Sequence, residues 1–161
     1  TYYIGMNVMT PTGLKVCKNM VEVDNSHLSE NWIPTFTMKR STVKGEAVFC
    51  DLGDGKNIVA TLSFGKGSKL RRLPALAYED FSVEKKRAFP PLNKRMKLVG
   101  ENIPILVTFT NTSDPNSMQL VDPQQITNLF GDGYSLDSVW VEKTNDECVN
   151  SSNSRYSKIQ F

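Results

Sequence analysis

Apolar and polar residues alternate along much of this chain with a period near two, the period of a half-buried strand. "TYYIGMNVM" at 1–9 alternates loosely and "LKVCKNMVEV" at 14–23 alternates again. Between them "TPTG" carries Pro11 and Gly13, residues suited to a turn, so the pair reads as a hairpin. "NWIPTFTM" at 31–38 is a weaker strand, and Pro34 argues for an edge position because proline cannot donate to a ladder. "VKGEAVFCDL" and "NIVATLSF" flank "GDG" at 53–55, the strongest hairpin signal present, since Asp-Gly supplies the positive φ of a tight turn. "IPILVTFT" at 103–110 is a continuous apolar run and predicts a central strand buried on both faces. "YSLDSVWVEKT" at 134–144 closes the set, giving about seven strands and a mainly β fold, either a β-sandwich or a partly open barrel.

Two segments change period. "PALAYEDFSVEKKRAF" at 74–89 starts on a proline and spaces Leu76, Ala77, Phe81 and Ala88 as a helix would. "DPQQITNLFG" predicts a short helix with Asp122 as cap, Pro123 in the first turn, Ile126, Leu129 and Phe130 on one face, and Gly131 as the stop. The segment after Val149 is polar, so the expected organisation is one globular domain over 1–149 and a polar tail over 150–161. No repeat or low-complexity tract interrupts it.

Composition narrows the function classes. The 161 residues are 39% hydrophobic and 22% charged, with a net charge of +2, the profile of an ordinary globular domain without a global field for nucleic acid. No apolar run is long enough to span a bilayer. The chain opens on Thr1, which we read as the mark of a removed segment, an export signal or an anchor. Charge is uneven: residues 66–97 hold ten Lys or Arg and three acids, +7, and the remainder holds nine basic and fourteen acidic residues, −5. Arg71, Arg72, Lys85, Lys86 and Arg87 fall in this basic segment, which suits an acidic partner or an anionic membrane surface. The aromatics there, Tyr78, Phe81 and Phe89, fit helix packing and form no stacking ladder, so nucleic acid is not expected.

Candidate chemistry is sparse. Cys17, Cys50 and Cys148 are far apart, with no CxxC, so they read either as buried thiols or as one disulfide and a free thiol; sequence does not select a pair. His27, the only histidine, sits in "DNSHLSE", which reads as a polar surface loop, and no GxSxG occurs, leaving nucleophilic catalysis without support. "FGDGYSL" has a helix before it and a strand after it, the reverse of a dinucleotide loop, and reads as a helix stop and turn. The Asp-Pro pairs at 114 and 122 read first as turn and cap residues, because a carboxylate there accepts backbone N–H groups just downstream. Their functional alternative is a carboxylate site of Asp114, Asp122 and Asp132, catalytic or calcium-binding, although calcium loops space their acids more closely. No cofactor is expected.

Five segments together, "TPTGLKV", "VKGEAVFCDLGDGKNIVATL", "RAFPPL", "PILVTFTNTSDPNSMQLVDP" and "LFGDGYSLDSVWVEKTNDECV", resemble an uncharacterised family of proteobacterial proteins. They cover most of the chain from about residue 8 to 149. Members of that family carry one N-terminal hydrophobic segment and then a single domain of this kind. The family has no assigned activity, so the resemblance transfers no catalytic residue. It implies a location outside the inner membrane, periplasmic and anchored, where a disulfide is permitted. This chain departs from the pattern in its basic 65–88 region and in a tail without a short apolar ending. The expectation is a non-catalytic binding or interaction module of the bacterial envelope, with an envelope protein or an anionic membrane surface as partner. Its expected contact surface is the 66–97 segment, with Arg71, Arg72, Lys85, Lys86 and Arg87, together with the 111–123 loop, with Asp114 and Asp122. The alternative is a carboxylate-dependent enzyme acting on an envelope substrate.

Overall fold

The alternating segments become the strands of two antiparallel sheets. The structure, a computed structural model, describes residues 1–29, 37–64, 68–69 and 92–147. Within them lie β1 (Tyr2–Thr10), β2 (Gly13–Ser29), β3 (Thr37–Gly45), β4 (Val48–Gly53), β5 (Lys56–Phe64), β6 (Ser68–Lys69), β7 (Arg95–Leu98), β8 (Pro104–Phe109), β9 (Met118–Val121) and β10 (Ser135–Lys143), with one helix, α1 (Ile126–Phe130). Sheet one runs β3-β2-β1-β10-β7 and sheet two runs β4-β5-β8-β9, with β6 added to β5. The fold is mainly β, as the periodicity predicts. The strand count exceeds seven because β6, β7 and β9 have only two to four residues, too short for an alternating pattern to register.

Turn chemistry accounts for two hairpins. Thr10 pairs with Gly13, leaving Pro11 and Thr12 as a two-residue loop, and the Thr10 hydroxyl donates to the Gly13 carbonyl at 2.8 Å. Gly53 pairs with Lys56 across Asp54 and Gly55, whose φ values of 51° and 74° are the double positive that a type I′ turn demands. The stretch 43–52, which reads as one strand, is divided between the sheets. Gly45 ends β3 in sheet one and Val48 starts β4 in sheet two. Gly45 has φ +147°, and a Cβ there would lie 2.8 Å from the Met20 carbonyl oxygen, so the crossing point accepts only glycine. The Asn19 amide reaches the carbonyls of Glu46 and Ala47, both at 3.4 Å, and ties the crossing segment to β2.

The core lies between the sheets. Ile4, Met6, Val8, Val21, Val139 and Val141 meet Val48, Ile58, Ala60, Leu106 and Val121, all buried. Cys17 on β2 and Cys50 on β4 form a disulfide that joins sheet one to sheet two. Cys148 lies outside the described residues. Sheet two is apolar on its outer side as well, where Val59, Val107 and Phe109 are buried with Ala47, Phe49 and Met118 packed against them. The strand β8 is therefore buried on both faces, as its continuous apolar run predicts, with Ile105 the exposed exception.

One side chain repairs the ladder between β5 and β8. The Asn57 amide donates to the Phe109 carbonyl at 2.8 Å, and its oxygen accepts the Phe109 N–H at 2.9 Å. Asn57 is buried, and its carboxamide stands where a backbone rung would. Asn57→Ala leaves both Phe109 groups without a partner. Each unsatisfied buried group costs about 1–3 kcal/mol, so urea titration of the variant will show a loss of roughly 3 kcal/mol, and a loss below about 1 kcal/mol would refute the role.

The helix starts later than the sequence indicates. Asp122 does not cap it. Its Oδ1 accepts the Gln124 N–H at 2.9 Å and its carbonyl accepts the Gln125 N–H at 2.9 Å, closing a turn through Pro123, so α1 begins at Ile126 with Gln125 as its N-cap residue. Gly131 does end it, with φ 101° and its N–H donating to the Thr127 carbonyl. The expected helix over 74–89 and the tail over 150–161 lie outside the described residues.

Candidate functional site at the β9 edge

Sheet two ends at β9, a four-residue strand that pairs with β8 on one side. The loop before it, residues 110–117, is built by its own polar side chains. The Asp114 carboxylate accepts the Asn116 N–H at 2.9 Å, Asn111 accepts the Ser113 N–H at 3.0 Å, and the Ser117 hydroxyl donates to the carbonyls of Asn111 and Asp114 at 2.8 Å. This is the structural role that the Asp-Pro spacing predicts for Asp114. The loop is exposed, yet it is internally bonded and holds the entry to β9 in place.

Beyond β9 the chain turns at Asp122 and returns through α1. A groove of about 260 Å³ opens between the two, lined by Leu120, Val121, Asp122, Gln125, Asn128 and Leu129. Leu120 is 77% exposed and Leu129 42% exposed, so two large apolar side chains flank an otherwise amide-lined groove. Among the described residues that line it, Asp122 is the one with a charge. Ile126 anchors α1 in the core beneath. The arrangement offers apolar surface, amides and a carboxylate, a binding chemistry without a nucleophile–base pair.

The direction of the β9 backbone follows from the ladder. Thr110 donates its N–H to the Ser117 carbonyl. Along the continuous register of β8 and β9, the bonded pairs are then Thr108 with Gln119 and Leu106 with Val121. Met118 and Leu120 therefore turn their N–H and C=O groups away from β8. The Asn57 contact agrees with this phase, because it requires Phe109 to face β5.

The outer face of sheet one carries the other ordered polar cluster. Trp140 lies across Gly5, its indole N–H donates to Asn7 Oδ1 at 3.0 Å, and the Arg95 guanidinium stacks on the ring at 4.0 Å while bonding Glu142 at 2.9 Å. Lys18 stands 4.0 Å over the Tyr3 ring. The Tyr3 hydroxyl donates to Asp146 at 2.9 Å, and that bond raises the phenol pKa. Bonds from the Thr144 hydroxyl and then from Tyr3 lower the Asp146 pKa. These side chains bond and stack on one another across the face.

Of the residues expected to form a contact surface, Asp122 lines the groove and Asp114 shapes the loop beside it. Arg71, Arg72, Lys85, Lys86 and Arg87 lie outside the described residues. Asp132 sits in the turn after α1, and among the described residues no three His, Cys, Asp or Glu gather as a metal-ligand set. Leu120 falls within the expected 111–123 loop, whereas Gln125, Asn128 and Leu129 are the groove residues that sequence reasoning misses. Leu129 reads there as part of the helix face with Ile126 and Phe130, but only Ile126 is buried and Leu129 faces the groove. Searches of protein-family models, of curated proteins and of solved structures find no match to this chain.

Proposed function

We propose that the chain is a non-catalytic interaction module that works outside the cytoplasm, in keeping with its resemblance to an anchored envelope family, and that it presents the 111–123 loop and the adjoining groove to a protein partner. The groove carries this reading: Leu120 and Leu129 are exposed beside a strand edge whose geometry is fixed by bonded turns. Binding residues commonly sit on loops positioned by a rigid scaffold. The Cys17–Cys50 bridge supports the compartment, because structural disulfides persist in oxidising surroundings. Within the described residues no helix is long and apolar enough to cross a membrane, so anchoring would fall to a segment beyond them. The carboxylate-enzyme alternative gains no observation, since Asp114 and Asp122 each accept a backbone N–H within their own turn.

The test is site-specific crosslinking in intact envelopes of the cell that makes the protein. A photo-reactive residue in place of the exposed Thr112 is expected to capture one abundant protein. Only lipid or glycan adducts would overturn the proposal. The basic segment is tested separately: Lys85→Glu, Lys86→Glu and Arg87→Glu combined should weaken this capture more at low salt than at high salt, because exposed charges are screened over roughly 10 Å at 0.1 M. Unchanged capture at both ionic strengths would remove the basic segment from the contact surface.

A further inference from the structure

We infer that the free edge of β9 receives an extended, cationic strand from its partner, adding a strand to sheet two. This rests on the interaction-module reading and states how the contact is made. Three observations carry it. Among the described residues nothing pairs with the outer side of β9, where Met118 and Leu120 direct two donors and two acceptors. An added strand satisfies such groups with main-chain bonds, and flanking pockets read its alternate side chains. Leu120 and Leu129 then offer apolar contact to one set of those side chains.

Charge decides the other set. The segment that builds this edge, residues 110–132, has three acids (Asp114, Asp122 and Asp132) and no Lys, Arg or His. Natural edge strands are usually guarded by lysine, proline or an inward charge. From Met118 to Val121 this one reads Met-Gln-Leu-Val, blunted by its short length but carrying no lysine, proline or inward charge within the strand. A strand that alternates apolar and basic residues meets Leu120 with its apolar side, and its basic residues lie in the field of Asp114 and Asp122, which flank the two ends of β9. An acidic strand would be repelled by the same surface.

The probes are the nonapeptide KVKVKVKVK, its glutamate counterpart EVEVEVEVE, and a lysine version N-methylated along one edge. Binding to the full disulfide-bonded chain is read by fluorescence anisotropy, and its place by amide shifts in the NMR spectrum. The lysine peptide is expected to move the Met118 and Leu120 amides. The glutamate and N-methylated peptides should bind at least tenfold more weakly. Leu120→Lys should weaken the lysine peptide by a similar factor while leaving the melting temperature unchanged, because the side chain is largely in solvent. Binding that ignores N-methylation or Leu120→Lys, or shifts confined to other strands, would overturn the inference. Crosslinking from Thr112 separates the two levels. Capture that persists in the Leu120→Lys protein refutes strand addition and leaves the interaction module standing.

Discussion

Removal of the Cys17–Cys50 bridge lowers the unfolding free energy by about 4 kcal/mol in the loop-entropy model, in which closing a longer loop restricts the unfolded chain more. The two cysteines are 33 residues apart, and the loop between them includes the whole of β3 and the crossing at Gly45. Reduction of the wild-type protein, or Cys17→Ala with Cys50→Ala, should therefore lower the melting temperature by roughly 10 °C for a chain of this size. The reductant should have no further effect on the double variant. Equal melting of oxidised and reduced wild-type protein would show that the bridge contributes nothing. Alanine is the informative replacement, because Cys50 is buried among apolar side chains and a serine hydroxyl there would add its own penalty.

The second large effect is expected at Gly5. Its neighbour across the ladder is Trp140, whose ring lies flat over the glycine, and a methyl group there would overlap the indole. Gly5→Ala must displace a side chain that is only 3% exposed, breaking its bond to Asn7 and its stacking with Arg95. Emptying a site of this size costs about 3 kcal/mol. In a Trp32→Phe background, where Trp140 is the sole indole, emission should shift to the red in the alanine variant. Unchanged emission with unchanged stability would mean that the ring does not rest on Gly5.

How far these features are legible depends on the range of the interaction that fixes them. The Asp54-Gly55 turn is local and is readable from two residues, and the burial of β8 is readable from its unbroken apolar run. The alternation of "LKVCKNMVEV" identifies a strand but not its inward side. The structure turns Cys17, Asn19 and Val21 toward the core side and leaves Leu14 and Val16 exposed, because Cys17 shares its register position with the buried Met6. The disulfide partner is hidden for the same reason: it depends on how one sheet stacks on the other. At the candidate site the Asp-Pro pairs mark the turns on either side of β9. The groove itself is not legible, since it arises where a short strand and a short helix happen to face each other. The switch of sheets at Gly45 is missed because the apolar pattern runs through it without a break.

The position of β1 has a consequence for the order of folding. It is the middle strand of sheet one, flanked by β2 and by β10, and Tyr2 pairs with Lys143 while Thr1 accepts the Thr144 N–H at 3.1 Å. A chain emerging from the ribosome can form the β1–β2 hairpin at once, but one edge of its central strand stays open until β10 has followed. Such end-to-end pairing carries a large loop-closure cost and slows folding. The nascent protein therefore holds an unpaired strand edge until β10 has been made, an interval in which a chaperone is useful.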